Sequence, residues 1–174
     1  MGLLAGPYVG AAVLLAFGGV FKVRRPAPTA RALREAGLPW LAPLARMLGA
    51  AEIAVGGASL AFGGRVAPAL VAGLYLAFAG FVVLRMTRPG AAGSAGCGCF
   101  GEAEGPPSAI HVILNVAAAS VAGAVALGSG GGLAEALHGQ ALGGVPFLLL
   151  VGVVTGLAYA ALAVLPRTLA ALHP

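Results

Sequence analysis

The run VAPALVAGLYLAFAGFVVLRM, residues 66–86, carries no charged side chain from Val66 to Leu84. A bilayer core of about 30 Å needs about 20 apolar residues in one helix, so this stretch alone is long enough to cross. Four more blocks of the same kind lie at about 3–21, 41–62, 109–127 and 145–165. With 174 residues, 60% of them hydrophobic and only 9% charged, an ordinary soluble domain is excluded. The sequence predicts an all-α polytopic transmembrane helix bundle, folded as a single integral-membrane domain over residues 1–174.

The net charge of +5 does not point to nucleic acid. Basic residues stand at the ends of the apolar blocks, where they act as topology signals, and form no patch interleaved with aromatic residues. The first block lacks a basic lead-in, and Lys22-Val23-Arg24-Arg25 follows it where a small-residue cleavage site would be needed, so it reads as a retained helix. The abundant glycine (29 residues) suits close helix packing of the small-xxx-small type, as in Gly6 with Gly10 or Gly73 with Ala77.

Between the first two spans, Thr29 to Gly37 predicts a short interfacial helix. Thr29 caps it, Arg31 and Glu35 pair at i,i+4, Leu33 and the alanines face the other way, and Gly37 ends it. Trp40 then serves as an aromatic anchor. In the second span Arg46 is close enough to the end to snorkel, but Glu52 is near the centre. A carboxyl there costs a few kcal/mol, so it must face the bundle interior, pair with another group or stay protonated. Such a group acts either as a proton or hydrogen-bond site or as a clamp between helices.

The loop between the third and fourth spans, residues 87–108, contains Gly96-Cys97-Gly98-Cys99-Phe100-Gly101, with both cysteines of the chain. A disulfide needs Cα atoms roughly 4.4–6.8 Å apart, which residues i and i+2 reach only in a bent conformation that glycine permits. A disulfide closed in so small a ring suits exchange better than stapling. Positive charge from Arg85, Arg88 or His111 would favour a thiolate, and Glu102 and Glu104 would oppose it. Ser108 caps the fourth span, on which His111 and Asn115 share a face.

These features resemble the MauE family of methylamine-utilisation membrane proteins, within the wider DoxX-like group of small helical bundles. The likeness rests on Cys97-Gly98-Cys99-Phe100-Gly101 between spans three and four and on Glu52 in an Ala-Glu-Ile-Ala-Val-Gly context. A basic connector ending Gly37-Leu38-Pro39 and Asn115 just inside the fourth span add to it. The sequence departs at Gly96, where the family more often has an acidic residue, and at His111-Val-Ile-Leu-Asn115, where a basic residue more often directly precedes the asparagine. The resemblance implies a four-helix core plus a fifth C-terminal span, in a bacterial cytoplasmic membrane. It also implies disulfide formation or processing during maturation of a periplasmic dehydrogenase of the methylamine-dehydrogenase type, beside a thioredoxin-like, MauD-type partner.

On this reading Cys97 and Cys99 carry thiol–disulfide exchange, with Phe100, Gly98, Gly101, His111, Asn115 and Glu52 in support. Two alternatives stay open. The chain is a membrane scaffold or assembly factor with a non-catalytic cysteine pair, or it is a soft-metal transporter that uses the cysteines with His111 as a third ligand. No resident metal or cofactor is expected. A quinone pocket formed by Tyr8, Tyr75 and Tyr159 has no specific motif behind it, and these tyrosines read as packing residues. His138 and His173 read as solvated. Nucleotide-binding, serine-hydrolase and zinc-protease motifs are missing from the sequence.

Two crossings separate the basic first loop from the cysteine loop, so both lie on one face, and five spans put the C-terminus there too. That face has Lys22, Arg24, Arg25, Arg31, Arg34, Arg46, Arg85, Arg88 and Arg167, against Arg65 on the other. The positive-inside rule makes it cytoplasmic; the family-implied role makes it periplasmic.

Overall fold

A computed structural model describes residues 2–39, 41–87, 107–128, 132–138 and 140–163. The cysteine motif, Trp40, Arg88, Glu102, Glu104, Arg167 and His173 lie outside them. Seven α-helices are described: α1 (Ala5–Arg24), α2 (Pro26–Glu35), α3 (Ala42–Ala61), α4 (Val66–Thr87), α5 (Ala109–Leu127), α6 (Leu133–Leu137) and α7 (Val145–Ala163). Five of them, α1, α3, α4, α5 and the helical run ending in α7, are long and apolar enough to cross a membrane. No strand occurs among the described residues.

Proline punctuates these helices. Pro7, Pro26, Pro28, Pro43, Pro68 and Pro146 all fall in first turns, where a missing N–H breaks no intrahelical bond. The two prolines of α2 move its start to Pro26, so Thr29 is a buried residue inside the helix and not its cap. Gly37, at φ +69, ends it. There Leu38 N–H donates to the Leu33 carbonyl and Gly37 N–H to that of Arg34, the bonding pattern of a Schellman turn.

The core forms where α1 meets α3. A Cβ built on Gly19 would fall 2.5 Å from the Gly49 carbonyl oxygen, one on Gly49 would fall 2.6 Å from the Gly19 oxygen, and one on Gly56 would fall 2.7 Å from the Ala12 oxygen. The two backbones therefore touch along antiparallel helices, which only glycine allows. This differs in part from the expectation for small residues. Gly6 and Gly10 do lie against α7, close to Phe147 and Thr155, but Gly73 and Ala77 are exposed, with open space beside Gly73. Composition gives the supply of small residues but not the face they line.

Helix α5 pairs mainly with α4, and α1 also touches α2, α4, α5, α6 and α7. Tyr8, Val9, Ala12 and Leu15 of α1 are buried. Helix α7 lies mainly against α1 and exposes Leu149, Leu150, Val153 and Leu157, as a lipid-facing surface does. The linker before it folds α6 onto the end of α3, with Gly132 against Leu60 and Phe62.

We predict that Gly49→Leu destabilises the bundle by at least about 1–3 kcal/mol, the range for overpacking, while Gly73→Leu changes it by less than about 0.5 kcal/mol. Denaturant unfolding in detergent micelles checks this, and equal effects of the two substitutions would contradict the packing.

Candidate functional site

On either side of the Gly19–Gly49 contact, α1 presents Lys22, whose Cβ lies against Gly49, and α3 presents Glu52, whose Cβ lies against Gly19. Lys22 Nζ lies 2.9 Å from Glu52 Oε2, with the side chains 4% and 1% exposed. The ammonium also sits over the Phe78 ring, 5.3 Å from its centroid, a favourable arrangement for a desolvated cation. Inside a bilayer neither charge is tolerable alone, so each is the reason the other can be there. Glu52 Oε1 is buried and has no hydrogen-bond partner among the described residues.

Helices α4 and α5 complete the polar cluster. Tyr75 donates its hydroxyl proton to the Ala11 carbonyl at 2.7 Å. His111 Nε2 is 3.0 Å from the Leu162 carbonyl oxygen, and its Nδ1 is 2.9 Å from Ser108 Oγ. A carbonyl only accepts, so Nε2 carries the proton, and in the neutral ring Nδ1 accepts from the serine hydroxyl. Asn115 Nδ2 donates to the His111 carbonyl at 2.7 Å. Lys22, Glu52, Tyr75, Phe78, His111 and Asn115 line one small interior cavity of about 30 Å³. A larger groove of about 170 Å³ opens between α1, α5 and α7 and shares Leu14, Tyr75, Asn115 and Leu162 with it.

The two helix ends that flank the cysteine-bearing segment in sequence each carry a polar contact. Arg85, in the last turn of α4 and fully buried, donates to the Glu35 carboxylate and, at 3.4 Å, to the Ala32 carbonyl. Helix α2 is thereby tied to the end of α4. At the other end Ser108 holds the N-cap position of α5 but bonds the His111 ring in place of a backbone N–H.

Of the residues expected to form a site, Glu52, His111 and Asn115 come together on one cavity wall. Cys97, Gly98, Cys99, Phe100 and Gly101 lie outside the described residues. Lys22 was missed. Lys22 and Arg85 stand next to loops and read as topology charges, Arg85 also as a cation near the thiols, yet both are buried and paired. Glu35 bonds Arg85 across 50 positions of sequence, and no Arg31–Glu35 ion pair is found among the described residues. Sequence spacing offered no signal for Lys22, because its partner Glu52 is 30 positions away. Tyr8 and Tyr75 pack in the core, and Tyr159 meets Phe17 edge-on at 5.9 Å. His138 is exposed. Among the described residues no group of three or more His, Cys, Asp or Glu is placed to hold a metal ion.

Five apolar helices around a buried ion pair define a multi-pass helical membrane protein. The chain belongs to the MauE family, described as methylamine utilisation protein MauE, whose match covers residues 2–128 and so takes in α1 through α5. No curated protein and no solved structure matches it.

Removing one partner of a buried pair leaves an uncompensated charge and costs about 3–5 kcal/mol, whereas an apolar replacement of both is far milder. Lys22→Met and Glu52→Leu are therefore each strongly destabilising, and the double variant is less so than their sum. A double-mutant cycle on unfolding free energies measures this. Simple additivity would mean the two side chains do not interact.

Proposed function

We propose that this MauE-family protein is the membrane component of a thiol–disulfide exchange system acting through Cys97 and Cys99, and that it serves the maturation of a partner protein in methylamine metabolism. The observation that carries this reading is that both cysteines of the chain stand one residue apart, within the family match, in the segment joining α4 to α5. The Arg85–Glu35 and Ser108–His111 contacts support it, because they hold the ends of that segment to the bundle.

The exchange is a pair of substitutions at sulfur. A thiolate from one cysteine attacks the partner's disulfide, forms a mixed disulfide and expels one partner thiolate. The second cysteine then attacks the mixed disulfide, releasing the partner as a dithiol and leaving Cys97 bonded to Cys99. Two electrons pass to the partner, and the reverse sequence oxidises it. A thioredoxin-like, MauD-type protein is the partner class that the family implies.

The exposed arginines at the loop end, Arg24, Arg25, Arg31, Arg34 and Arg46, against Arg65 at the other, support a cytoplasmic position for that end. Lys22 and Arg85 drop out of the count because each is neutralised inside the bundle.

With a thioredoxin-like partner, the single variants Cys97→Ser and Cys99→Ser should differ, the one that keeps the attacking cysteine accumulating a mixed disulfide on non-reducing gels. The double variant should lose exchange to background. Undiminished partner maturation with both cysteines replaced would overturn this reading in favour of a scaffold. Even after prior reduction, impermeant maleimide should label Cys97 and Cys99 only once cells are permeabilised, and labelling of intact reduced cells would reverse the topology.

A further inference from the structure

The polar cavity beside the ion pair holds an inconsistency that the protein atoms do not resolve. Glu52 is 1% exposed and lies on the cavity wall, and only one of its two carboxylate oxygens is bonded. A buried acceptor left without a donor costs free energy comparable to a lost hydrogen bond, and more when it belongs to a charged group. Native interiors resolve this with a protein donor or with water.

The described neighbours do not supply the donor. Tyr75 gives its proton to the Ala11 carbonyl, His111 gives its own to Leu162, and the bonded proton of Asn115 goes to the His111 carbonyl. What remains facing the cavity is complementary to a small molecule that can both give and take. Glu52 Oε1 accepts. Asn115, 8% exposed, keeps its amide oxygen and a second amide proton beyond the bond to His111.

The volume decides which molecule fits. A water needs at least about 10–15 Å³ of cavity measured in this way and two to four polar partners. The cavity measures about 30 Å³, which is room for one or two waters beside the carboxylate. Leu14, Leu15, Val82 and Leu162 close the apolar side.

We propose that this cavity is a water-binding site, in which one or two molecules donate to Glu52 Oε1 and are held on the other side by the Asn115 amide. Water there completes the hydrogen bonding of the Lys22–Glu52 pair. The site does not depend on the cysteine chemistry, since every group in it lies on α1, α3, α4, α5 or α7.

The test is water-edited solid-state NMR on the full chain in lipid bilayers. Magnetisation is transferred from water to carbon, and the build-up at the Glu52 carboxyl is compared with that at Val71, which is fully buried in the apolar core. A hydrated site gives build-up at Glu52 and at the Asn115 amide several-fold faster than at Val71. Build-up no faster than at Val71 means a dry cavity and overturns the proposal. Asn115→Leu removes the second partner, so the transfer to Glu52 should fall towards the Val71 rate while the Lys22–Glu52 contact persists. Unchanged transfer in that variant would overturn the shared water.

Discussion

The fold depends on a place where two helix backbones touch. Gly19 and Gly49 have no side chains, so α1 and α3 approach until a Cβ on either would strike the other's carbonyl oxygen. At that separation the next residues on the same faces, Lys22 and Glu52, meet across the contact. The glycines make the pair possible, and the pair makes the contact specific: sliding either helix would leave two charges apart in a medium that solvates neither. Helices α4 and α5 then close over the pair, bringing Phe78 against the ammonium and His111 and Asn115 to the cavity beside the carboxylate.

This arrangement connects the interior to the segment that carries the cysteines. Arg85 ends α4 by bonding α2, and Ser108 begins α5 by bonding His111, whose other ring nitrogen reaches the α7 carbonyl of Leu162. The end of α4 and the start of α5, between which the Cys-Gly-Cys segment lies in sequence, are thus each held by polar contacts that run into the bundle. Helix α7, beyond the family match, adds a largely lipid-exposed layer against α1.

Much of the fold was legible from hydrophobic block length, because a bilayer leaves few ways to satisfy a backbone. The five long helices lie where the apolar blocks are, and the connector between the first two is helical. Local rules placed Gly37 correctly as a helix end but misread Thr29, since two prolines ahead of it already start the helix. Glu52 announced itself because a carboxyl in mid-span needs a reason. Lys22 and Arg85 did not, because a cation beside a loop looks the same in sequence whether it points to water or folds back into the protein. Long-range pairing decides that, and it becomes visible only once α1 faces α3 and α2 reaches α4. The glycines were ambiguous for the same reason: Gly73 and Gly49 are alike in sequence, and only the partner's position separates an open face from a contact.

The helix register and the polar cavity both depend on Lys22 and Glu52 forming an ion pair inside the bundle at the α1–α3 contact. The most direct measurement is the dipolar coupling between the Lys22 side-chain nitrogen and the Glu52 carboxyl carbon, by rotational-echo solid-state NMR on the protein in bilayers. Strong dephasing, as required by a nitrogen 2.9 Å from a carboxylate oxygen, is the predicted result. No measurable dephasing would mean that the pair does not form, and with it would go the reason for the helix register and for the polar cavity beside it.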